Sequence, residues 1–196
     1  DRAFGKLLQA SFFANYACWS HCLDLVRVWG GRAVRVSALS GSTEYVSAAS
    51  TGFDLGVAFT LESGCTGTIL GSSRPDFGAP LYMATLNFEG GLIRLCDLDG
   101  TMDVYPAGAT YAESLSLMAN ASRWNQYAAS FEKALEAYLA SIADGRTPPV
   151  PGVAGLEELQ FEAAMRRSAA SGRAVDVQAE FSLDGFPAQE AASCAG

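Results

Sequence analysis

The stretch that decides the fold of this 196-residue chain is Ser20-His21-Cys22-Leu23-Asp24-Leu25-Val26-Arg27-Val28-Trp29-Gly30-Gly31. It predicts a short helix, because Ser20 is a favourable N-cap and Gly30-Gly31 supplies a left-handed stop. Apolar side chains recur along it at helical spacing, at Cys22, Leu25, Val26 and Trp29. One face of the helix is therefore apolar, and the other face carries His21 and Asp24.

His21 is the only histidine in the chain. It stands where a strand is predicted to end and the helix to begin, and Asp24 is close enough along the helix for its carboxylate to orient the imidazole. Two interpretations are open at this point. His21 is either a proton-transfer group or a partly buried histidine that is satisfied by a neighbour.

The residues before the helix, 6–16, alternate as a half-buried strand does. Similar patterns predict strands at 33–39, 55–61, 65–71, 81–88, 92–96, 101–105 and 175–181, and helices at 127–142 and from 156 to just before Gly172. Short glycine-containing turns join most of these strands. The sequence therefore predicts an α+β fold, with a large, mostly antiparallel open β-sheet and helices packed on one face.

The other face of this sheet needs an explanation. Strands with large apolar residues on both sides, such as Phe12 beside Phe13, indicate a face that is not fully solvated. We expect this face to be available for oligomerisation, so that the chain is a homo-oligomer. Residues 1–183 are predicted to form this single sheet domain, and residues 184–196 a flexible tail.

Composition limits the possible partners. The net charge is -8, with a pI near 4.6 and scattered basic residues, so neither nucleic acid nor an anionic membrane surface is expected as a partner. The five cysteines form no close pairs of the CxxC type, which predicts reduced thiols in a cytoplasmic protein and no metal site. Cys18 and Cys22 lie beside His21 and suggest a metal or thiol nucleophile, but no third ligand is obvious.

A competing motif lies further along the chain, at Asp97-Leu98-Asp99-Gly100-Thr101 after an apolar run. It matches the nucleophile signature of haloacid-dehalogenase-type phosphatases, in which Asp97 would take the phosphoryl group and Asp99 would act as acid and base beside a magnesium ion. The later lysine and acidic pair that such a site needs have no good candidates here. The same residues also suit an ordinary hairpin turn.

Three segments, taken in order, carry a resemblance. They are residues 20–30, then 64–69 with 86–95, and then 131–142 followed by 144–149 and 168–177. Together they resemble the C-terminal domain of the Gfo/Idh/MocA family, which is named after glucose-fructose oxidoreductase, inositol dehydrogenase and MocA. Each motif is weak alone, whereas their order across nearly the whole chain is specific.

The resemblance implies a sheet domain that supplies substrate contacts and a subunit interface to an NAD(P)-dependent oxidoreductase acting on a sugar, a polyol or a related hydroxy compound. The N-terminal dinucleotide-binding domain of such proteins is absent here, since no G-x-G-x-x-G follows a predicted strand. NAD or NADP is therefore expected only in the full-length protein, with no cofactor-binding residue in this chain.

The resemblance also assigns residues. His21 matches the histidine of the family's D-x-x-x-H motif and becomes the expected proton donor or acceptor, whereas the acidic position of that motif falls on Ala17. Either Asp24 substitutes for the missing acid, or the chemistry differs from that of the family. Pairing with Arg27 is the more ordinary role for Asp24. Asn15 and Trp19 are the expected substrate contacts. For Trp19, a position as a core aromatic residue is an equally good interpretation. The alternative function is a non-catalytic binding or assembly module.

Overall fold

A computed structural model describes residues 4–15, 18–46, 51–72, 80–97, 100–118 and 121–184, without the side chains of residues 43–46 and 51–53. Its elements, in chain order, are β1 (Leu7–Asn15), α1 (Trp19–Gly30), β2 (Ala33–Val46), β3 (Thr51–Leu61), β4 (Thr66–Ser72), β5 (Tyr82–Phe88), β6 (Gly91–Cys96), β7 (Thr101–Pro106), β8 (Glu113–Ser116), α2 (Arg123–Ala143), α3 (Gly152–Ser171), β9 (Val175–Asp176) and α4 (Val177–Glu180).

The nine described strands form one sheet in the order β8-β7-β6-β5-β1-β4-β3-β2-β9. Every neighbouring pair is antiparallel except β1 with β4, which is parallel. The α+β prediction with a mostly antiparallel open sheet is confirmed. Because β1 and β4 run in the same direction, they end at the same edge of the sheet, where Asn15 lies opposite Ser72.

Helices α1 and α3 cover one face of the sheet and enclose the core. From α1 come four buried side chains, Trp19, Cys22, Leu23 and Val26. Phe161 of α3 packs edge-on against Phe59 of β3, with ring centroids 5.6 Å apart. Each such fully buried apolar side chain contributes roughly 1.5–3 kcal/mol relative to its exposed state.

The opposite face of the sheet is not covered by the helices described here, and it is organised in rows across the strands. One row is mainly polar and consists of Ser37, Ala58, Thr68, Ser11, Thr85, Arg94 and Asp103. The next row is mainly apolar and consists of Leu39, Gly56, Leu70, Phe13, Met83 and Cys96. In the apolar row Leu39 is 76% exposed and Leu70 is 56% exposed. We call this face the open face.

The start of α1 differs from the sequence prediction. The helix begins at Trp19 with Cys18 as its N-cap, and Cys18 makes no side-chain capping bond. Ser20 therefore lies inside the first turn, and its prediction as the N-cap is wrong. The reason is tertiary, because Trp19 is buried against the sheet and helical geometry at this residue places its ring there. The predicted stop is confirmed, since Gly31 has a φ of +79°.

The end of the described chain also differs from prediction. Residues 175–181 were expected to form one strand, but pairing with β2 stops after Asp176. The Asp176 carboxylate then accepts a hydrogen bond from the Ala179 N–H at 3.0 Å and caps α4. This side-chain cap competes successfully with strand extension. Most of the predicted tail, residues 185–196, lies outside the described residues.

Two further elements differ from the prediction. The helix α3 begins at Gly152, directly after Pro151, and therefore starts before the predicted residue 156. Proline fixes its own φ and is tolerated at a helix start, which makes this boundary hard to place from sequence. The short edge strand β8 was not predicted, because its four residues carry no alternating apolar pattern.

Ser168 ties α3 to the sheet, and its replacement tests that connection. Its buried hydroxyl accepts a hydrogen bond from the Ala38 N–H at 2.9 Å and donates one to the Arg173 carbonyl at 2.7 Å. We expect Ser168→Ala to lower the free energy of unfolding by about 1–3 kcal/mol, because it leaves buried backbone groups unpaired. Urea denaturation measures this. The exposed Ser171→Ala is the control, and an equal loss in both variants would contradict the assignment.

Candidate functional site

The candidate site lies at the edge of the sheet where β1 ends and α1 begins. His21 occupies the first turn of α1, and its side chain is exposed, whereas its neighbours Trp19 and Cys22 point into the core. This arrangement follows from the helical period, since a residue between two buried positions faces away from the sheet. The structure thus leaves the imidazole accessible, and the alternative of a buried histidine does not hold.

Asn15 is placed at the same edge by β1. It is 7% exposed, its N–H donates to the Leu81 carbonyl at 2.9 Å, and its register partner is Ser72 at the end of β4. Two polar side chains therefore close the carboxyl ends of the parallel pair. The motif position at Ala17, between Asn15 and the helix, lies outside the described residues.

The Trp19 side chain lies in the core and is not exposed at the site. It is 4% exposed, and its ring covers Gly71, where an added Cβ would come within 2.6 Å of the indole. The close approach explains why glycine stands at position 71 of β4. The burial of Trp19 favours the core interpretation over a direct substrate contact, and it fixes the beginning of α1 on the sheet.

Asp24 is held by Arg27 and not by His21. The Arg27 guanidinium donates to Asp24 Oδ1 at 2.9 Å, and it reaches Glu157 Oε2 of α3 at 3.4 Å. The expected pairing of Asp24 with Arg27 is confirmed, and the idea that Asp24 orients the imidazole finds no hydrogen bond within the described structure. Arg27 instead links α1 to α3 beside the site.

Glu158, also on α3, is the acid that the sequence did not connect with His21. The pKa of its carboxyl is raised, first by burial and then by the negative charge of Asp24, while the positive charge of His21 acts in the opposite direction. No pattern within one helix predicts this electrostatic interaction, because it joins segments more than a hundred residues apart in the sequence. The carboxylate that acts on the imidazole through its charge is therefore that of Glu158 on α3, and not one on α1.

Glu158→Gln tests this electrostatic description. A raised pKa in the folded state means that Glu158 costs stability as the pH rises above the ordinary glutamate value. We expect the variant to be more stable than the parent chain at about pH 8 and no more stable at about pH 4. Because solvent screens this partly exposed carboxylate, the gain should not exceed about 0.5 kcal/mol. Denaturation at the two pH values measures this, with Glu132→Gln on α2 as the control. A variant that is less stable at the higher pH would contradict it.

The cysteines near His21 do not carry thiolate chemistry. Burial and the charge of Asp97 raise the pKa of the Cys18 thiol, and burial together with Cys18 raises the pKa of Cys22 to about 12. Both thiols are protonated at neutral pH, which makes them poor nucleophiles and poor metal ligands. Among the described residues, no three histidine, cysteine or acidic side chains are grouped so that they could hold a metal ion.

Tyr82 is a polar residue at this edge that sequence reasoning missed. It is 6% exposed, packs beside Phe12 at 6.2 Å between ring centroids, and within the described structure its hydroxyl has no hydrogen-bond partner. Burial and the nearby Cys22 and Cys18 raise its pKa, so the hydroxyl stays protonated. A tyrosine in an apolar strand is usually core, and no sequence signal distinguishes this one.

The competing phosphatase motif lies between two antiparallel strands, and Asp97, Gly100 and Thr101 are the described residues of it. Asp97 directly follows β6 with a φ of +63°, and its N–H donates to the Tyr82 carbonyl at 2.7 Å, while Gly100 precedes β7. A haloacid-dehalogenase-type site needs its aspartate at the end of a strand in a parallel sheet, whereas β6 pairs antiparallel with β5 and β7. The hairpin interpretation is correct for the described part of the motif. Asp99 lies outside the described residues.

Two shallow depressions mark the open face. The larger, about 640 Å³, lies over polar residues including Gln9, Ser11, Thr66 and Thr68. The smaller, about 380 Å³, lies over the apolar row and reaches Ser72, the register partner of Asn15. The larger depression is on the opposite side of the sheet from α1, so it is separate from the His21 edge.

Comparison with solved structures identifies relatives in fold. The chain matches an oxidoreductase from Agrobacterium radiobacter in complex with NAD+, L-tartaric acid and magnesium, at 19% identity, a TM-score of 0.72 and coverage of 91% of this chain and 59% of that one. It also matches the WlbA dehydrogenase from Bordetella pertussis in complex with NADH and UDP-GlcNAcA, at 16% identity, a TM-score of 0.67 and coverage of 88% and 57%.

A levoglucosan dehydrogenase in complex with NADH and L-sorbose matches at 13% identity, a TM-score of 0.70 and coverage of 89% of this chain and 59% of that one. The chain therefore spans less than two thirds of the length of these proteins. No protein-family model and no curated protein sequence matches the chain. The structural relatives are oxidoreductases of the Gfo/Idh/MocA type, so the resemblance drawn from the sequence is confirmed at the level of the fold.

Proposed function

We propose that this chain is the substrate-binding and oligomerisation domain of an NAD(P)-dependent oxidoreductase of the Gfo/Idh/MocA family, acting on a sugar, a polyol or a related hydroxy compound. The observation that carries the proposal is the position of His21. In a fold shared with dehydrogenases, the sole histidine of the sequence is exposed at the first turn of the helix that follows the central strand.

His21 then acts as the proton donor or acceptor. When a substrate hydroxyl is oxidised to a carbonyl, its proton must leave, and a neutral imidazole nitrogen within hydrogen-bond reach accepts it; in the reverse direction the imidazolium returns it. Glu158 stabilises the imidazolium form by its charge, in place of the acid that is missing at Ala17. Asn15 is proposed to hydrogen-bond the substrate, and Trp19 to position the helix that carries His21.

The connection between β1 and α1 does not fit a dinucleotide site. Such a site uses a glycine-rich turn between a parallel strand and a helix, whereas the residues between β1 and α1 contain no glycine. We therefore propose that NAD or NADP, which supplies the hydride chemistry, is bound by another region of the full-length protein.

The open face is the proposed subunit interface. Its apolar row crosses six strands beside a mainly polar row, which is the composition of a partly desolvated interface with polar surroundings. A second copy packed on this face would bury Leu39 and Leu70.

We place the parent protein in the cytoplasm, because the four cysteines described are free thiols. In the described part of the chain, no helix is both long and apolar enough to cross a membrane.

The proposed function is tested with the full-length gene product. Purified protein is incubated with NAD or NADP and a panel of sugars, polyols and hydroxy acids, and reduced cofactor is followed by absorbance. Turnover of at least one substrate is expected. Tight substrate binding without turnover would support instead the non-catalytic module, and absence of both binding and turnover over the whole panel would contradict the proposal.

A further inference from the structure

Asp97 belongs to the competing motif, and the proposed function gives it no role. It directly follows β6 and is half-buried. Its φ is +63°, and among the residues that the structure describes it is the only one other than glycine with a positive φ. Aspartate tolerates this conformation better than most residues do, and residues held in it are concentrated at functional sites. The backbone therefore motivates a functional role for the Asp97 carboxylate.

The sheet brings Asp97 to the edge where the candidate site lies. Strands β1 and β4 end at this edge, and β5, which is antiparallel to β1, begins there at Tyr82. The Asp97 N–H donates to the Tyr82 carbonyl at 2.7 Å, so these two residues lie opposite each other on neighbouring strands. The polar residues that the adjacent strands β4, β1, β5 and β6 place at this edge are Ser72, Asn15, Tyr82 and Asp97.

The first turn of α1 lies over the same edge. Trp19 covers Gly71 of β4. Burial raises the pKa of the Cys18 thiol and the charge of Asp97 raises it further, which places the carboxylate near the N-cap of α1. His21 follows three residues after Cys18, and residues three apart on a helix are neighbours, with about 5–6 Å between their Cβ atoms. Cys18 is therefore a common neighbour of Asp97 and His21.

The Tyr82 hydroxyl is a second, independent pointer to this place. The Tyr82 side chain is 6% exposed, and within the described structure its hydroxyl has no hydrogen-bond partner. Burial raises the pKa of Tyr82, and Cys22 and Cys18 add to the shift, which places the hydroxyl beside the start of α1. Buried polar groups without a partner are uncommon and costly. A carboxylate, a hydroxyl and an imidazole thus surround the first turn of α1.

We infer that Asp97 binds the substrate by accepting hydrogen bonds from its hydroxyl groups, and that this substrate is a neutral polyhydroxy compound. The inference rests on the proposed function and narrows its substrate class. An ionised carboxylate has about four acceptor positions, so Asp97 can receive substrate hydroxyls in addition to the contacts that it already makes. Hydrogen bonds to a charged acceptor are also stronger than those between neutral groups.

The charges at this edge distinguish between substrates. The carboxylates of Asp97 and Glu158 both act on the first turn of α1. The Arg27 guanidinium of the same helix is already paired with Asp24 and Glu157. A hydroxy acid would bring a further carboxylate to this edge, and juxtaposed like charges disfavour binding. A sugar or polyol brings hydroxyl donors without a negative charge, and it is therefore the preferred class.

Matched pairs of compounds test this preference on the full-length protein with its cofactor. Each pair consists of a polyol and the acid in which one terminal hydroxymethyl group is replaced by a carboxylate, such as glucitol with gluconate and glycerol with glycerate. These pairs join the panel of sugars and hydroxy acids. We expect kcat/KM to be at least ~10-fold higher for the neutral members than for their acids. Higher values for the acids would overturn the inference.

Asp97→Asn removes the charge but keeps the shape, and asparagine also tolerates a positive φ. We expect kcat/KM for neutral substrates to fall by about 10–100-fold, mainly through KM because His21 is unchanged, and the value for acids not to fall. Asp144→Asn, at the exposed end of α2, is the control and should alter neither value. An equal loss for both members of a pair, as a purely structural role predicts, or no loss for the neutral member, would overturn the inference.

Asp97→Gly separates the carboxylate from the backbone conformation. Glycine adopts a φ of +63° without strain, so this variant is expected to keep the fold, which circular dichroism checks. It should lose the preference for neutral substrates as Asp97→Asn does. A folded Asp97→Gly variant that keeps the full preference would show that the carboxylate does not bind substrate, and it would leave the oxidoreductase function standing.

Turnover separates this inference from the proposed function. If no compound of the panel is turned over, the proposed function fails, and binding of the same pairs is measured by isothermal titration calorimetry. Preferential binding of the neutral members that is weakened in Asp97→Asn would still support the role of Asp97. Absence of that preference, or of any binding, would overturn the inference as well.

Discussion

Replacing His21 by alanine in the full-length protein is expected to lower kcat by about 10²–10⁴-fold, the usual contribution of a positioned acid or base. The reason is that alanine can neither accept nor donate the proton, and this chain contains no second histidine that could replace His21. Substrate affinity should change little, because Asn15 and the rest of the edge remain. Steady-state kinetics with the best substrate of the panel measure both quantities.

Two controls make this result specific. Asp24→Asn should alter kcat by no more than a few-fold, since the Asp24 carboxylate is held by Arg27 at 2.9 Å. The thermal unfolding temperature of His21→Ala should equal that of the parent protein, because the His21 side chain is exposed. Undiminished turnover in His21→Ala would contradict the assigned role, whereas a large loss in Asp24→Asn would mean that Asp24 acts in place of the motif acid.

Phe161→Ala is expected to lower the free energy of unfolding by about 3–5 kcal/mol, the range for removal of a buried phenylalanine. Phe161 is 4% exposed, and its ring joins α3 to the sheet through Phe59. The cavity left behind is bordered by strand residues that cannot move without disturbing the hydrogen bonds of the sheet, so little relaxation is expected. Urea denaturation followed by circular dichroism gives the value.

Leu159→Ala is the matched control on the same helix. Leu159 is 63% exposed, and its truncation should change stability by no more than about 0.5 kcal/mol. If the two substitutions cost the same, α3 does not pack on the sheet as described. If Phe161→Ala costs less than 1 kcal/mol, the core between α3 and β3 is looser than the ring geometry indicates.

Much of this fold was accessible from the sequence because its signals are local. Alternation, glycine turns and helical spacing depend on neighbouring residues, and they located most of the strands, α1 and the main part of α2 and α3. The errors arose where distant contacts decide. Burial of Trp19 on Gly71 moved the start of α1, and the Asp176 cap ended β9 early.

The candidate site shows the same limit. His21 was predicted as the leading group from its place at a strand-to-helix boundary, and the pairing of Asp24 with Arg27 was predicted from their spacing. Glu158 was not identified, because only the packing of α3 beside α1 brings its charge to the imidazole. Tyr82 was missed for a related reason, since burial of its hydroxyl depends on the whole edge of the sheet.

The parallel pairing of β1 with β4 has a consequence for how the chain reaches its native state. Strands β2 to β4 form one antiparallel meander and β5 to β8 another, and β1 is the strand that joins the two. Within this sheet β1 is synthesised before all the other strands, and both of its partners, β4 and β5, follow much later in the sequence. Each meander pairs strands that are neighbours in the sequence and can therefore form rapidly. The slow step in folding is expected to be the pairing of β1 with β4 and β5, which joins the two meanders.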